Sequence, residues 1–115
     1  MITVFGIKNC DTIKKTKAWL EANEVPYQFH DYRKDGIDQA LLERLESRLG
    51  WEALLNRRGT TWRKLPETVR DNIDRQSALA AMLEQPSMIK RPIVIDDNIA
   101  LIGFDAANWE NTLKA

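Results

Sequence analysis

Cys10 is the residue best suited to chemistry, because it is the only cysteine in a chain of 115 residues and a thiolate is a strong nucleophile. It directly follows a predicted strand at residues 2–6 and directly precedes a predicted helix at about residues 11–23. The first backbone N–H groups of a helix have no intrahelical partner, and the helix dipole places partial positive charge there. We therefore expect the thiol pKa to lie below the value of about 8.5 for free cysteine. Lys8 adds positive charge nearby, whereas Asp11 opposes it.

A lone cysteine is often a small buried apolar residue, and this is the alternative interpretation of Cys10. Its neighbours Asn9 and Asp11 are polar, and a loop-to-helix junction is a poor place to bury an apolar group, which favours the reactive thiol. Ile13 occupies the position where a Cys-x-x-Cys motif would have its second thiol. An external thiol must therefore resolve any adduct on Cys10, and glutathione is the obvious small candidate.

The composition excludes several other classes of function. One cysteine and one histidine allow no internal disulfide and give little support to a metal site, and we expect no tightly bound cofactor. Lys and Arg number 17, as do Asp and Glu, so the net charge of zero provides no general attraction to nucleic acid or to an anionic membrane. No apolar run approaches the roughly 18 residues of a membrane span, and no signal peptide is recognisable at the start. The expected compartment is the reducing cytoplasm.

The elements around Cys10 predict an α/β fold. A strand, a helix and a strand form a βαβ unit, a helical block follows at about residues 37–88, and two strands and a helix complete the chain. This order is the thioredoxin/glutaredoxin-like βαβ–ββα plan with a helical insertion between its halves, in one domain of residues 1–115. Asp74 and Asp105 are predicted helix N-caps. The predicted strands are at 2–6, 27–32, within 90–95, and at 99–102, and the predicted helices are at 11–23, 38–49, 51–55, 66–73, 77–85 and from Asp105 through Leu113.

Arginines in two places are candidates for binding an anion. Arg91 precedes Pro92, and in a thioredoxin-like domain this proline is expected to pack beside the active thiol. Arg91 would then present a planar guanidinium to an oxyanion or carboxylate, although a solvated arginine at a strand end is the simpler interpretation. A solvated loop surface is likewise the simpler interpretation of a second basic patch. That patch comprises Arg57, Arg58, Arg63 and Lys64.

The chain resembles the ArsC/Spx family, which contains glutaredoxin-linked arsenate reductases and Spx-type regulators. The resemblance covers nearly the whole chain in order, and the Lys-Asn-Cys-Asp-Thr sequence around Cys10 is most similar to the YffB-type branch. The other segments include Leu-Leu-Asn-Arg-Arg-Gly-Thr and Lys-Arg-Pro-Ile-Val. The matching segments are residues 7–12, 54–60, 86–94 and 102–104.

This resemblance implies roles for individual residues. Cys10 would be the nucleophile, and Arg91 matches the arginine that precedes a cis-proline and helps to bind the oxyanion in arsenate reductases. A second oxyanion-binding arginine falls at Arg57 or Arg58, with Arg58 preferred. A third arginine of the arsenate reductases is replaced by Gly103, and losing one charge-assisted hydrogen bond weakens binding by about ten- to a hundred-fold. The predicted binding residues are Arg91, Pro92, Arg58, Arg57, Lys8, Asn9 and Thr12.

The leading functional prediction is a glutathione-dependent thiol reductase that acts as a monomer, with glutathione as co-substrate and glutaredoxin as a further partner. An arsenate reductase linked to glutathione and glutaredoxin is the alternative within enzymes. A non-catalytic module that binds RNA polymerase, like the Spx-type regulators, is the alternative of another class. Direct nucleic-acid binding and membrane binding are not expected at zero net charge.

Overall fold

The computed structural model describes residues 1–8 and 10–113, which divide into two compact units. The first unit consists of the described residues of 1–35 and 91–115, and the second of residues 36–90. The elements in chain order are β1 (Ile2–Gly6), α1 (Asp11–Ala22), β2 (Tyr27–Asp31), α2 (Gln39–Leu49), α3 (Trp51–Leu54), α4 (Thr60–Arg63), α5 (Glu67–Asp71), α6 (Arg75–Glu84), a 3₁₀ turn (Pro86–Met88), β3 (Ile93–Ile95), β4 (Ala100–Ile102) and α7 (Ala106–Leu113).

The first unit contains a four-stranded sheet in the order β2-β1-β3-β4. The β1 strand runs parallel to β2, as a βαβ unit requires, and antiparallel to β3, which forms an antiparallel hairpin with β4. This topology is the one expected for the predicted βαβ–ββα plan. Because β1 lies in the middle of the sheet, its end is a fixed point from which the chain leads to Cys10.

Alternation along the strands directs one set of side chains into the core of this unit. Ile2 and Val4 of β1 point the same way and form a buried cluster with Leu20 of α1, Val94 of β3 and Trp109 of α7. Both halves of the sheet and both flanking helices thus contribute to one apolar core, which holds α1 against β1.

The second unit is helical, and polar side chains set its helix ends. Asp38 caps α2 by accepting a hydrogen bond from the Leu41 N–H at 2.8 Å, and Gly50, with a φ of 88°, ends that helix. Asp74 and Ser77 form a reciprocal capping box at the start of α6. Since an N-cap side chain bonds to the third helical residue, α6 begins two residues earlier than the predicted start at residue 77.

Two other boundaries differ from the sequence prediction. The α4 helix lies where only a polar connection was predicted, and buried Trp62 anchors this single turn. The helix predicted at 66–73 is the shorter α5, with Pro66 as its N-cap residue. No helix in the described residues is both long enough and apolar enough to cross a membrane.

Candidate functional site

The absence of a side chain at Gly6 allows α1 to lie close to the end of β1. A Cβ atom at this position would come within 2.3 Å of Ile13 Cδ1 and 2.9 Å of Ile13 Cγ1. Ile13 is in the first turn of α1 and is only 1% exposed, so its side chain lies in the packed interior. Close packing of Gly6 against Ile13 therefore places the start of α1, which carries Cys10, next to the end of the central strand β1.

Cys10 is the N-cap residue of α1, and its backbone is extended, with φ of −85° and ψ of 134°. Its carbonyl oxygen accepts the first helical hydrogen bond, from the Lys14 N–H at 3.0 Å. The side chain is half-buried, and it makes no fully formed capping hydrogen bond of the kind that Asp or Ser makes. The sulfur nevertheless faces the backbone N–H groups of Ile13 and Thr12 at the end of the helix where a thiolate is favoured.

Several effects set the pKa of the Cys10 thiol. Burial raises this pKa, whereas the Ile13 N–H, a hydrogen bond from the Arg91 side chain, the Thr12 N–H and the charge of Arg91 all lower it. The lowering effects prevail, and the pKa lies below its ordinary value. The fraction of thiolate at neutral pH is therefore larger than for a free cysteine.

Arg91 and Pro92 lie at the entrance to β3 and are joined by a cis peptide bond. Arg91 is half-buried and its guanidinium reaches the sulfur of Cys10, so the structure brings together these two predicted site residues. Pro92 is buried, and its carbonyl oxygen accepts a hydrogen bond from the Gly103 N–H at 2.9 Å. The turn after β4 thereby supports the segment that carries Arg91.

Asp31, the last residue of β2, is a residue that the sequence analysis treated only as part of a strand. The residue is 6% exposed, and its carboxylate accepts hydrogen bonds from the N–H groups of Arg33 at 2.8 Å, Lys8 at 3.2 Å and Lys34 at 3.3 Å. Burial raises the pKa of Asp31, but these bonds and the charge of Arg33 hold it below its usual value. Asp31 is therefore an anion at neutral pH that contacts the loop before Cys10.

Tyr32 is the second residue that the sequence analysis missed. It is 1% exposed, its N–H donates to the Gly6 carbonyl at 2.9 Å, and its ring stacks on Phe5 at 6.2 Å between centroids. Its hydroxyl has no hydrogen-bond partner among the described residues. Burial raises the pKa of Tyr32 although the charge of Arg91 acts in the opposite direction, so the phenol stays protonated at neutral pH. The signal available in the sequence was the alternation of side chains along β1 and β2, because it brings the rings of Phe5, His30 and Tyr32 close to one another.

The remaining predicted binding residues lie in different surroundings. Lys8 is exposed and Thr12 is half-buried in the first turn of α1, whereas Asn9 lies outside the described residues. Arg57 and Arg58 belong to the second unit, and both are exposed. The Arg57 guanidinium lies 5.4 Å from the centre of the Trp62 ring, and the Arg58 N–H donates to Asn56 Oδ1 at 3.1 Å. Their part in binding an anion stays a prediction.

The described side chains include no group of three or more His, Cys, Asp or Glu that could hold a metal ion. What the first unit does contain is a thiol of lowered pKa, with the Arg91 guanidinium and the first backbone N–H groups of α1 close to its sulfur. Such an arrangement suits nucleophilic attack on sulfur or on an electrophilic oxyanion.

Comparisons with known proteins bear on the fold and the family of this chain. Among solved structures, the YFFB protein superposes with a TM-score of 0.90 at 43% identity, covering 98% of this chain and 99% of its own. An arsenate reductase (ArsC) related protein from Brucella melitensis has a TM-score of 0.82 at 51% identity, covering 99% of this chain and 95% of its own. The predicted thioredoxin-like α/β fold is thereby confirmed.

Sequence relatives lead to the same family. An uncharacterised protein of Haemophilus influenzae is 47% identical over 110 residues, which are 96% of each chain. The global transcriptional regulator Spx of Streptococcus pneumoniae is 33% identical over 112 residues, covering 91% of this chain and 80% of the regulator. The profile of the ArsC family matches residues 5–112. The predicted resemblance is therefore confirmed, and the chain belongs to the ArsC family.

Proposed function

We propose that the protein is a glutathione-dependent thiol reductase in which Cys10 is the nucleophile. The observation that carries this proposal is the position of the Arg91 guanidinium beside the sulfur of Cys10 at the N-terminus of α1, together with the lowered pKa of the thiol. A thiolate poised in this way reacts with a disulfide sulfur faster than an ordinary thiol does at neutral pH.

The reaction proceeds by two thiol–disulfide exchanges. In the first, the Cys10 thiolate attacks the glutathione sulfur of a mixed disulfide; the substrate S–S bond breaks, a Cys10–glutathione disulfide forms, and the substrate leaves as a thiolate that takes up a proton. In the second, the thiolate of another glutathione attacks this disulfide and releases oxidised glutathione and the Cys10 thiolate. The net reaction consumes one free glutathione thiol for each mixed disulfide: the substrate is released as a thiol, the two glutathione sulfurs end as oxidised glutathione, and no second protein cysteine is needed.

Arg91 has two functions in this scheme. In the resting protein its guanidinium stabilises the thiolate of Cys10. A guanidinium has five N–H donors, so it is able to bind a carboxylate of glutathione while one donor still faces the sulfur. The same group favours departure of Cys10 as a thiolate in the second exchange, because it stabilises the leaving anion.

A direct test is the reduction of a mixed disulfide between glutathione and 2-mercaptoethanol, with oxidised glutathione measured as it forms. The wild type should exceed the uncatalysed exchange at least about ten-fold at neutral pH, and Cys10→Ser should abolish the excess. Glutathione should also perturb backbone chemical shifts around Cys10, Arg91 and Pro92. Turnover at the uncatalysed rate, or full turnover by Cys10→Ser, would contradict the proposal.

Arsenate reduction is a second candidate, which the 51% identical arsenate reductase (ArsC) related protein of Brucella melitensis supports. Gly103 argues against it, because this residue stands where the resemblance places a third oxyanion-binding arginine. Its φ of 78° is a conformation that arginine adopts only with strain. Arsenate-dependent oxidation of glutathione in the presence of glutaredoxin decides between the two, and robust turnover would favour the arsenate reductase.

A regulatory role without catalysis is the third candidate, which the 33% identity with the Spx regulator of Streptococcus pneumoniae supports. Such a role would depend on contacts with RNA polymerase rather than on the thiol. Ile13 stands where the second cysteine of a Cys-x-x-Cys redox switch would be, so this switch is absent. Specific retention of RNA polymerase subunits that survives Cys10→Ser would favour the regulator over the reductase.

A further inference from the structure

We propose that Asp31 is a positioning residue for the nucleophile: its carboxylate holds the backbone at Lys8, two residues before Cys10, so that the sulfur stays within reach of Arg91. The inference deepens the proposed reductase function, because it concerns the same thiol. It starts from one long-range contact, the hydrogen bond from the Lys8 N–H to Asp31 Oδ2 at 3.2 Å. Lys8 precedes Cys10 by two residues, and the contact joins residues 23 apart in the chain.

The two carboxylate oxygens of Asp31 have different partners. Oδ1 accepts from the N–H groups of Arg33 at 2.8 Å and Lys34 at 3.3 Å, which forms a local turn at the end of β2. Oδ2 accepts from Lys8, on the loop that leads to Cys10. An asparagine, with one side-chain oxygen, would suffice for the local turn. The second acceptor oxygen of Asp31 is needed only for the hydrogen bond from the Lys8 N–H.

Burial makes this contact effective. Asp31 is 6% exposed, so water competes little for its oxygens, and a charge-assisted hydrogen bond is stronger than a neutral one. The strand beneath is fixed as well, since Asp31 pairs with Gly6 in the β1–β2 register and the Tyr32 N–H donates to the Gly6 carbonyl at 2.9 Å. The chain that leads to Cys10 is therefore tied to the sheet at two points, at Gly6 where β1 ends and at Lys8 two residues further on.

The test is the rate of Cys10 alkylation by iodoacetamide between pH 5 and 10 in Asp31→Asn. The chain has one cysteine, so the rate reports this thiol alone. Asparagine can keep the Arg33 turn but presents an NH₂ donor to the Lys8 N–H, so the loop loses its acceptor. We expect the thiol pKa to rise and alkylation at pH 7 to slow by about three- to ten-fold.

The sign of the change separates positioning from two other roles. If Asp31 acted only as a nearby negative charge, its neutralisation would lower the thiol pKa and speed alkylation at pH 7. If it only stabilised the fold, the melting temperature would fall while the thiol pKa of the folded protein stayed the same. Faster or unchanged alkylation would therefore overturn the proposal.

Two further variants keep the experiment decisive. Asp35→Asn is the matched control, because Asp35 Oδ2 also accepts a backbone hydrogen bond, from the Asp31 N–H at 2.9 Å, whereas the Lys8 N–H donates to Asp31. It should leave the alkylation rate within about two-fold of the wild type.

Asp31→Glu keeps the charge and displaces the oxygens, so it should slow alkylation as Asp31→Asn does, and it decides the matter if Asp31→Asn does not fold. A wild type with a reactive thiol but no reductase turnover would end the reductase proposal alone.

Discussion

The reactivity of Cys10 depends on a balance of opposing effects at a single sulfur atom. Partial burial disfavours the thiolate, and helix N–H groups and Arg91 favour it more strongly. Because the backbone groups belong to α1 itself, they persist in any variant that keeps the helix. The guanidinium is the contribution that a single substitution removes.

Arg91→Gln should raise the thiol pKa of Cys10, since it removes a positive charge and a charge-assisted donor from the sulfur. A charge-assisted hydrogen bond contributes about 1.5–3 kcal/mol when fully buried, and partial exposure of the site reduces this. We therefore expect alkylation of Cys10 at pH 7 to slow by about three- to ten-fold while the rate at pH 10 changes little.

The control for Arg91→Gln is Lys15→Gln, which removes one positive charge from an exposed position of α1. Its alkylation profile should match that of the wild type, because exposed charges are screened by solvent and salt. An Arg91→Gln profile that overlays the wild type would show that the helix alone activates the thiol.

At the scale of elements, the close approach of α1 to β1 depends on the pair Gly6 and Ile13. Gly6→Ala forces a methyl group against the buried Ile13 side chain, at 2.3 Å from Cδ1. Overpacking of a filled core costs about 1–3 kcal/mol, so the free energy of unfolding in urea should fall by that amount.

A double variant tests this cause directly. Ile13→Val removes Cδ1 and alone should cost about 0.5–1.5 kcal/mol. In the double variant the inserted methyl group takes the place of the deleted one, so its cost should be clearly smaller than the sum of the two single costs. Additive costs would mean that Gly6 is required for a reason other than its contact with Ile13.

The elements around Cys10 were predictable from sequence because their signals are local. The β-branched and aromatic residues of 2–6 end at Gly6, Val25 and Pro26 separate α1 from β2, and Asp105 caps α7, where its Oδ1 accepts from the Asn108 N–H at 3.1 Å. The α4 turn was missed because its Thr-Thr start has low helix propensity, and burial of Trp62 overrides that propensity.

The supporting residues of the candidate site could not be predicted in the same way. Cys10 and Arg91 were found because each sits beside a local marker, a helix start and a proline. Asp31 has no such marker, since its contact with Lys8 spans 23 residues and depends on the β1–β2 register. The buried hydroxyl of Tyr32 likewise becomes evident only when the neighbouring elements are in place.

At the scale of the whole molecule, the first and last segments of the chain share one apolar core. Ile2 and Val4 at the start of the chain and Trp109 near its end belong to the same buried cluster. The helical second unit lies between these segments in sequence, so the core of the first unit closes only when the chain on both sides of residues 36–90 is in place. Contacts of such high sequence separation are characteristic of slow, cooperative folding.

Trp109 is the largest buried side chain of this shared core. It is 1% exposed, and its ring makes edge contacts with Trp19 at 5.7 Å and Phe104 at 5.1 Å between centroids. Trp109→Ala should lower the free energy of unfolding by about 3–5 kcal/mol, a large share of the roughly 5–15 kcal/mol that a domain possesses. Val69→Ala, at a position that is 40% exposed, should change it by no more than about 0.5 kcal/mol.

The same variant links global stability to the thiol. The lowered pKa of Cys10 exists only while α1 and Arg91 are in place, so every unfolded molecule carries a thiol of ordinary pKa. As urea is added at pH 7, the alkylation rate of Trp109→Ala should fall to that of a free cysteine at a lower urea concentration than in the wild type, and in step with its unfolding by circular dichroism. Loss of thiol reactivity well before unfolding would instead mean that the Cys10 loop opens independently of the core.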